Sequence, residues 1–346
     1  MAAPNPFWQQ TEDWHTAGEP FRIVADLPPN SLASNLSISD QRLKIIKTPF
    51  HPLDLLRQSL CHEPRGHADM YGGFITPPND SGALFGVLFW HKDGFSTACG
   101  HGTIALGYWA VARGIVQRNP GGAVDVVIDV PSGRVVARVT FDAGGEVAHV
   151  DFINVTSYQL SQGDKLSVNL AGRQSPLTVD LSFAGAVYAC VDVDSLGLRV
   201  EPSKHQVFID LARQIKAQYA DFAYQGKYDI YGVCFYEEQS GSDATAVHQK
   251  NVVVFADGQI DRSPCGSGTC ARLAVLLAQG RVSKEKGLLH ESIVGSRFEA
   301  HIVETVASDT AFPACVPRVR GEARLVGRMN FLIDPSDPTY PGFVFR

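Results

Sequence analysis

The sequence lacks the features of several large classes of protein. It contains no run of about 18 consecutive apolar residues, the length that a membrane-spanning helix requires. It has no basic segment and its net charge is −6, so nothing in it indicates binding to nucleic acid or to an anionic membrane. Its Gly-X-Gly strings do not match the loops that bind phosphates or dinucleotides.

The cysteines do not follow a disulfide pattern. Seven cysteines occur among 346 residues, an odd number at irregular spacing, whereas small secreted proteins carry dense, paired cysteines. The first eight residues contain no basic segment followed by an apolar one, so we predict no signal peptide. We therefore expect a reducing, cytoplasmic location.

One short motif is present twice. Cys-Gly-X-Gly-Thr begins at Cys99 and again at Cys265, and an apolar run follows each copy. Each cysteine stands 15 positions before a closing glycine, Gly114 in the first copy and Gly280 in the second. This pattern predicts two matched helices that each begin at a cysteine. The copies lie 166 positions apart, which agrees with two similar domains in a chain of this length.

Each helix start would place a thiol beside an anion-binding site. Backbone N–H groups at a helix N-terminus lack partners and carry partial positive charge. We therefore predict that the pKa of each thiol lies below its usual value of about 8.5. The glycines of the two motifs permit close approach of a ligand, so that their N–H groups would hold a carboxylate. We therefore hypothesise that the two thiols face one substrate.

The remaining sequence predicts strands around these two helices. In the first half we predict strands at 21–25, 83–90, 124–130, 135–141 and 146–155, and helices at 39–47, 52–60 and about 102–113. In the second half we predict strands at 166–170, 177–183, 184–192, 229–236, 251–256, 292–301 and 323–331, and a helix at 203–219. The inner face of that last helix is predicted to comprise Val207, Ile209, Leu211, Ile215 and Tyr219. Residues 1–12 are expected to form an irregular leader and 63–73 a loop.

Five segments, in the same order, resemble the proline racemase family. They are 15–20 (His-Thr-Ala-Gly-Glu-Pro), 63–72, 99–103, 261–269 and 291–295 (Glu-Ser-Ile-Val-Gly). The resemblance implies an α/β (α+β) fold like that of diaminopimelate epimerase. In that fold two similar domains each wrap mostly antiparallel strands around a central helix, and the active site lies in the cleft between them. We place the first domain at 1–158 plus 325–346 and the second at 159–324.

The resemblance also implies the residues of the site and a reaction that uses no cofactor and no metal. Cys99 and Cys265 would be the paired acid and base. His101 and Asp261 would lie against the ring nitrogen of an imino-acid substrate. Its carboxylate would be held by backbone N–H groups and its ring lined by aromatic side chains; the residues so implied are Gly100, His101, Gly266 and Ser267 for the carboxylate, and Tyr71 and Phe255 for the ring. A homodimer is one option for the assembly.

Two reactions remain open within this resemblance. Members that racemise proline or epimerise hydroxyproline keep both cysteines, whereas members that dehydrate trans-3-hydroxy-L-proline typically have threonine at the second position. Cys265 therefore favours transfer of protons on two faces. The segments 88–96 and 254–257 look more like the dehydratase branch, in which Cys99 would act as the base. Phe255 would suit proline or a 3-hydroxylated ring, because a buried 4-hydroxyl group without a partner costs roughly 1–3 kcal/mol.

Other interpretations of the same residues give different proteins. A zinc site built from Cys99, His101, Cys265 and His67 is one alternative, although the spacing is unusual for zinc ligands. A protein that binds an imino acid without reacting is another. His101 could cap its helix and Asp261 could only begin a turn. The remaining cysteines are expected to be buried structural residues: Cys61, Cys190, Cys234, Cys270 and Cys315.

Overall fold

The computed structural model describes residues 5–33, 35–240 and 245–345. Within them, five α-helices are α1 (Ile38–Lys47), α2 (Pro52–Cys61), α3 (Gly100–Ala112), α4 (His205–Gln218) and α5 (Gly266–Ala278). The strands of the first half are β1 (Phe7–Thr16), β2 (Glu19–Val24), β3 (Tyr71–Thr76), β4 (Phe85–His91), β5 (Gly94–Phe95), β6 (Ala123–Val130), β7 (Gly133–Phe141) and β8 (Val147–Ile153). Those of the second half are β9 (Ser157–Leu170), β10 (Arg173–Phe183), β11 (Val187–Asp192), β12 (Ile230–Glu238), β13 (Ala246–Phe255), β14 (Gln259–Ile260), β15 (Gly287–Ser292), β16 (Arg297–Val306), β17 (Ala314–Gly321) and β18 (Ala323–Ile333).

The strands enclose two central helices, α3 and α5. Helix α3 packs against β1, β2, β7 and β8, and α5 against β9, β10, β16 and β17. Every residue of α3 from Gly100 to Val111 is buried, as is every residue of α5 from Gly266 to Leu276. A helix that is apolar on all sides is stable only when protein surrounds it. The predicted fold class, mostly antiparallel strands wrapped around central helices, is confirmed.

The last strand returns to the first half of the molecule. Strand β18 pairs antiparallel with β1, from Phe7 opposite Ile333 to Thr16 opposite Ala323. Strand β17 pairs with both β8 and β9, so it joins the strands of the two halves. The predicted domain limits of 1–158 plus 325–346 and 159–324 stay a prediction.

The expected irregular leader at 1–12 is wrong for its described part. Residues from Phe7 onward form β1, which pairs with β2 on one side and β18 on the other. The polar side chains that disguised this strand have buried partners, since Asp13 accepts two bonds from Arg22 and Glu12 accepts from Trp109. Residues 1–4 lie outside the described residues.

The predicted strand at 292–301 is confirmed for 297–301 and wrong for 293–296, where a turn separates two strands. Strand β15 ends at Ser292 and β16 begins at Arg297, and the N–H group of Ser292 donates to Ser296 at 2.8 Å. Gly295 has a φ of 86°, a conformation that glycine supplies at little cost. The apolar residues before it hid this turn from the pattern.

The remaining differences concern elements that pattern alone missed. Strands β3, β5, β14 and β17 were not predicted, and β15 was predicted only at its last residue. The expected loop at 63–73 ends where β3 begins at Tyr71. On α4 the buried residues are Phe208, Ile209, Leu211, Ala212 and Ile215. The predicted Val207 and Tyr219 are only half-buried.

No helix of the described part is long and apolar enough to span a membrane.

Candidate active site

The two cysteines of the repeated motif stand at the N-termini of α3 and α5. Cys99 is the N-cap of α3, and its Sγ accepts the N–H of Gly102 at 3.2 Å. Cys265 is the N-cap of α5, and its Sγ accepts the N–H of Gly268 at 3.3 Å. The predicted helix starts are therefore confirmed. Both thiols are buried, with 4% and 6% of their residues' surface exposed.

The first glycine of each motif brings the two helix starts into contact. A Cβ atom on Gly100 would stand 2.5 Å from the Cα of Gly266, and a Cβ atom on Gly266 would stand 2.6 Å from the Cα of Gly100. Both neighbours are backbone atoms, so no side-chain movement could relieve the contact. Glycine at both positions lets the two N-termini converge on one point.

The other motif residues explain why the same letters occur twice. A Cβ atom on Gly102 would lie 2.8 Å from the Sγ of Cys99, so glycine leaves room for the thiol to fold over its helix start. Thr103 donates its hydroxyl to the carbonyl of Cys99 at 2.8 Å. The equivalent Thr269 donates to Pro264 at 3.0 Å. These bonds anchor each helix to the chain that leads into it.

The backbone of Cys265 is held in an unusual conformation. Its φ is 64°, in the left-handed region that costs a non-glycine residue roughly 1–3 kcal/mol. Two hydrogen bonds hold it there: Ser263 Oγ accepts the N–H of Cys265 at 3.0 Å, and Asn251 donates to the carbonyl of Pro264 at 2.8 Å. Such strain persists where the surroundings enforce it, and here it directs the thiol.

The predicted lowering of the thiol pKa is wrong for the ligand-free protein. Burial raises the pKa of Cys99 well above its ordinary value, against the opposing N–H of Gly102. Burial also raises the pKa of Cys265, and the negative charge of Asp261 raises it further. The backbone N–H at each helix start lowers the pKa of its thiol, as expected, but desolvation raises that pKa by more. Both groups are therefore neutral thiols before a ligand enters.

His101 lies against the Cys99 thiol as a neutral ring. Its Nδ1 and Nε2 atoms are 3.5 and 3.6 Å from Sγ, and burial lowers its pKa to about 3. Its backbone carbonyl accepts the hydroxyl of Thr16 at 2.8 Å. A neutral imidazole can accept a hydrogen bond from a ligand N–H without repelling its charge.

Asp261 forms a buried pair of carboxyl groups with a residue that sequence reasoning did not assign, Glu19. Asp261 accepts bonds from the N–H and hydroxyl of Ser263 at 2.8 and 2.7 Å. Glu19 accepts the backbone N–H of Arg262 at 2.8 Å, and it is fully buried. Burial raises the pKa of Asp261 to about 6, and burial followed by the charge of Asp261 raises the pKa of Glu19 well above its ordinary range. The sequence did contain a signal for Glu19, because this residue lies in the segment 15–20 that resembles the family.

The raised pKa of Asp261 predicts a pH dependence of stability. The folded state holds the Asp261 proton more tightly than the unfolded state does. The free energy that this proton contributes to stability is therefore fully present below the ordinary pKa of 3.8 and is lost as the pH rises through about 6. The loss amounts to about 3 kcal/mol, because one pKa unit corresponds to about 1.4 kcal/mol. Asp261→Asn keeps an acceptor for Ser263 and removes this loss. Denaturant unfolding of both proteins, from about pH 4 to about pH 7, measures the difference; parallel curves would contradict it.

Aromatic side chains enclose the space beside the thiols. The ring of Tyr71 lies edge-on to His101 at 4.9 Å and to Phe255 at 5.7 Å. Tyr188, which sequence reasoning missed, bonds through its hydroxyl to Ser267 Oγ at 2.6 Å and lies 3.9 Å from the Sγ of Cys265. The structure therefore brings the predicted pocket residues together with the helix starts. Tyr188 stands in an apolar run without a motif, and no pattern marked it.

The alternative zinc site is not formed. Among residues 5–33, 35–240 and 245–345, no group of three or more histidine, cysteine or acidic side chains has an arrangement that would hold a metal ion. In particular, Cys99, His101, Cys265 and His67 do not make such a group.

Comparison with solved structures defines the class of protein first. A hydroxyproline epimerase from Agrobacterium vitis, solved with bound trans-4-hydroxy-L-proline, superimposes with a TM-score of 0.86 at 24% identity. The match covers 98% of this chain and 96% of that chain. The fold is that of the diaminopimelate-epimerase-like class. Within this class the family is settled by sequence, since the proline racemase family model matches residues 12–344. The chain belongs to the proline racemase family.

Relatives in this family carry more than one enzyme name. A trans-3-hydroxy-L-proline dehydratase from Bacillus thuringiensis subsp. konkukian is 37% identical over 344 residues, covering 96% of this chain and 97% of that protein. A proline racemase from Clostridioides difficile is 35% identical over 346 residues, covering 97% and 98%. Because the two identities are so close, overall similarity does not choose between an isomerase and a hydro-lyase. The choice depends on the site.

Proposed function

We propose that this enzyme inverts the α-carbon of proline or a hydroxyproline by proton transfer between Cys99 and Cys265. One observation carries the proposal: each of two helix starts holds a buried thiol, and the glycines that follow the thiols are in contact. A centre bearing hydrogen is inverted when a base acts on one face and an acid on the other. Two thiols on two converging helices supply that arrangement.

The helix starts would hold the substrate by its carboxylate. The N–H groups of Gly100, His101, Gly266 and Ser267 belong to the first turns of α3 and α5, where the helix dipoles favour negative charge. The hydrogen bonds from these N–H groups to the carboxylate become stronger when the electron pair of the broken C–H bond moves onto the carboxylate oxygens. They therefore favour the carbanion over the bound substrate.

The proton transfer is balanced within the pair of thiols. One cysteine reacts as thiolate and takes the α-proton, so that the C–H bond breaks and its electron pair spreads into the carboxylate. The opposite thiol then gives its proton to the other face of the carbon and becomes the thiolate. The product leaves with inverted configuration, and the thiolate is now on the opposite side. This form acts directly on the other enantiomer, and exchange of protons with the solvent restores the form that acts on the first.

The substrate itself would make the first thiolate. Its ring nitrogen is positively charged near neutral pH, and an adjacent positive charge lowers the pKa of a buried thiol. Asp261 and His101 would receive the N–H groups of that nitrogen. Neutral thiols in the empty pocket would thus become reactive only when a substrate is bound and one thiol has released its proton to the solvent.

Dehydration of trans-3-hydroxy-L-proline is the second candidate, and a group of hydroxyls favours it. The hydroxyl of Tyr71 bonds to Ser96 Oγ and lies 3.3 Å from the hydroxyl of Tyr231. In this reaction Cys99 takes the α-proton, the carbon–carbon double bond forms, and the 3-hydroxyl leaves as water with a proton from this group. The product is pyrroline-2-carboxylate. Relatives with both names are consistent with either reaction.

Proton NMR in D2O tests the proposal with L-proline, trans-4-hydroxy-L-proline and trans-3-hydroxy-L-proline in separate samples. We expect the α-proton signal of proline to disappear while the ring stays intact and the opposite configuration accumulates. Conversion of only the 3-hydroxylated compound to a pyrroline carboxylate would contradict inversion and establish dehydration. No change in any sample would contradict both.

The same experiment checks a preference among the rings. Phe255 contacts Tyr71 and Tyr231 and presents an apolar face, which gives a 4-hydroxyl group no partner from this side chain. We expect trans-4-hydroxy-L-proline to be turned over roughly 10-fold more slowly than proline or the 3-hydroxylated ring, since an unpaired buried hydroxyl costs roughly 1–3 kcal/mol. Faster turnover of the 4-hydroxylated ring would contradict this role of Phe255.

We further propose a cytoplasmic location and a homodimer. All seven cysteines are free and buried, which suits a reducing compartment. Leu325 and Val326 on β18 are exposed, and an exposed strand with apolar side chains is suited to contact a second copy.

A further inference from the structure

A cavity of about 570 Å³ lies beside the catalytic pocket. His91, Ser96 and Tyr231 form part of its wall, and charged side chains such as Lys216 and Asp257 lie elsewhere on it. A proline molecule does not need this volume in addition to the space beside the thiols. The feature that separates the two spaces therefore bears on which substrates fit.

Tyr231 lines the cavity and also contacts the aromatic residues beside the thiols. On the pocket side its ring stacks on Phe255, with centroids 5.8 Å apart and planes 27° apart, and it lies edge-on to Tyr188 at 5.9 Å. Its hydroxyl is 3.3 Å from that of Tyr71. Tyr71 contacts His101 beside Cys99, and Tyr188 contacts Cys265. Tyr231 therefore contacts one aromatic residue near each of the two thiols.

The setting of Tyr231 differs from that of its neighbours. Tyr71, Tyr188 and Phe255 are buried, with 2%, 0% and 3% exposed, whereas Tyr231 is half-buried and borders the cavity. Its backbone carbonyl accepts bonds from the N–H of Ala256 at 3.1 Å and from Lys216 at 3.3 Å. Those two bonds do not involve the side chain, so shortening the side chain leaves them in place.

We propose that Tyr231 determines the size of ring that the enzyme accepts, because its side chain separates the catalytic pocket from the neighbouring cavity. This inference rests on the proposed function. Removal of the ring joins the two spaces and admits six-membered imino acids and rings with larger substituents. The hydroxyl group alone is not required for this separation.

The test compares Tyr231→Ala with Tyr231→Phe, using L-proline and the six-membered L-pipecolate. Exchange of the α-proton in D2O, followed by NMR, gives kcat/KM for each compound. In Tyr231→Ala the ratio of pipecolate to proline is expected to rise roughly 10-fold or more, because one methylene group in an apolar pocket discriminates by about 10- to 200-fold. In Tyr231→Phe the ring remains, and the ratio is expected to stay at its wild-type value.

A binding measurement keeps this inference separate from the proposed reaction. Calorimetry of pyrrole-2-carboxylate and the larger indole-2-carboxylate is expected to show that wild type prefers the smaller ligand and that Tyr231→Ala loses this preference. If no protein exchanges α-protons but these affinities change as expected, the proposed function fails and the role of Tyr231 stands. Unchanged ratios in a folded Tyr231→Ala protein would overturn the inference. If Tyr231→Ala does not fold, Tyr231→Leu replaces it, because leucine keeps an apolar contact with Phe255. Tyr231→Leu is expected to shift the same ratios in the same direction by a smaller amount. Unchanged ratios in Tyr231→Leu would also overturn the inference.

Discussion

Replacing Cys265 by serine is expected to lower the rate of inversion by roughly 10³-fold, within the range that a positioned acid or base contributes. A serine hydroxyl does not ionise near neutral pH, so only Cys99 remains to move a proton. Cys99 can take the α-proton from the face that it contacts and can return a proton only to that face. We therefore expect exchange of the α-proton without inversion, and only for one enantiomer. Cys99→Ser is expected to show the same behaviour for the opposite enantiomer.

The measurement is NMR in D2O with L-proline and D-proline in separate samples, combined with polarimetry for inversion. Cys270→Ser is the matched control, since Cys270 lies in the same helix α5, is buried, and takes no part in the proposed reaction. Its rate per folded molecule is expected to equal that of wild type. Inversion that persists in Cys265→Ser at the control rate would refute the two-thiol mechanism. Dehydration of trans-3-hydroxy-L-proline that survives in Cys265→Ser would favour the second candidate reaction.

Replacing Gly100 by alanine is expected to reduce kcat/KM by roughly 10²-fold or more, since a displacement of about 1 Å at reacting groups costs that much. The new Cβ atom would stand 2.5 Å from the Cα and 2.8 Å from the carbonyl carbon of Gly266. Backbone atoms cannot move aside as a side chain does, so the helix starts must separate. The two thiols and the N–H groups for the carboxylate would separate with them.

Two further variants make this prediction specific. Gly266→Ala meets the same contact from the other helix, at 2.6 Å from the Cα of Gly100, and is expected to lose activity similarly. Gly107→Ala is the control within α3, because its Cβ atom would meet the side chains of Ala137 and Val150 at 3.1 Å. At 3.1 Å, against 2.5 Å at Gly100, the neighbours need to give by only a few tenths of an ångström, and alanine favours the helix by about 1 kcal/mol. Steady-state kinetics that show wild-type kcat/KM in Gly100→Ala would contradict the importance of this contact.

The motif repeated at Cys99 and Cys265 could be interpreted from sequence alone because its physics is local. A cysteine followed by Gly-X-Gly-Thr and an apolar run contains its own N-cap, its own room for the thiol and its own threonine anchor. The apolar character on every side of α3 likewise predicted that strands would surround it. The resemblance to a family then followed from five segments in order.

Other features depended on residues far apart in the chain. Strand β1 is polar in sequence and became recognisable only through its pairing with β18, more than 300 residues away. Glu19 was visible within a motif, but its role next to Asp261 depends on a contact with Arg262. Tyr188 and Tyr231 carry no local signal, and their positions follow from the packing of β11 and β12 beside the helix starts.

By itself the sequence determined that two helices begin at cysteines, that both are enclosed by strands, and that the chain resembles proline racemases, because capping and periodicity act over a few residues. Only the tertiary structure decided that the helix starts touch at Gly100 and Gly266, and that burial raises the pKa of both thiols. It also decided that Tyr231 borders a second cavity. The physical reason is that desolvation and contact distance depend on every element packed around a group, and none of that is present in the neighbouring sequence.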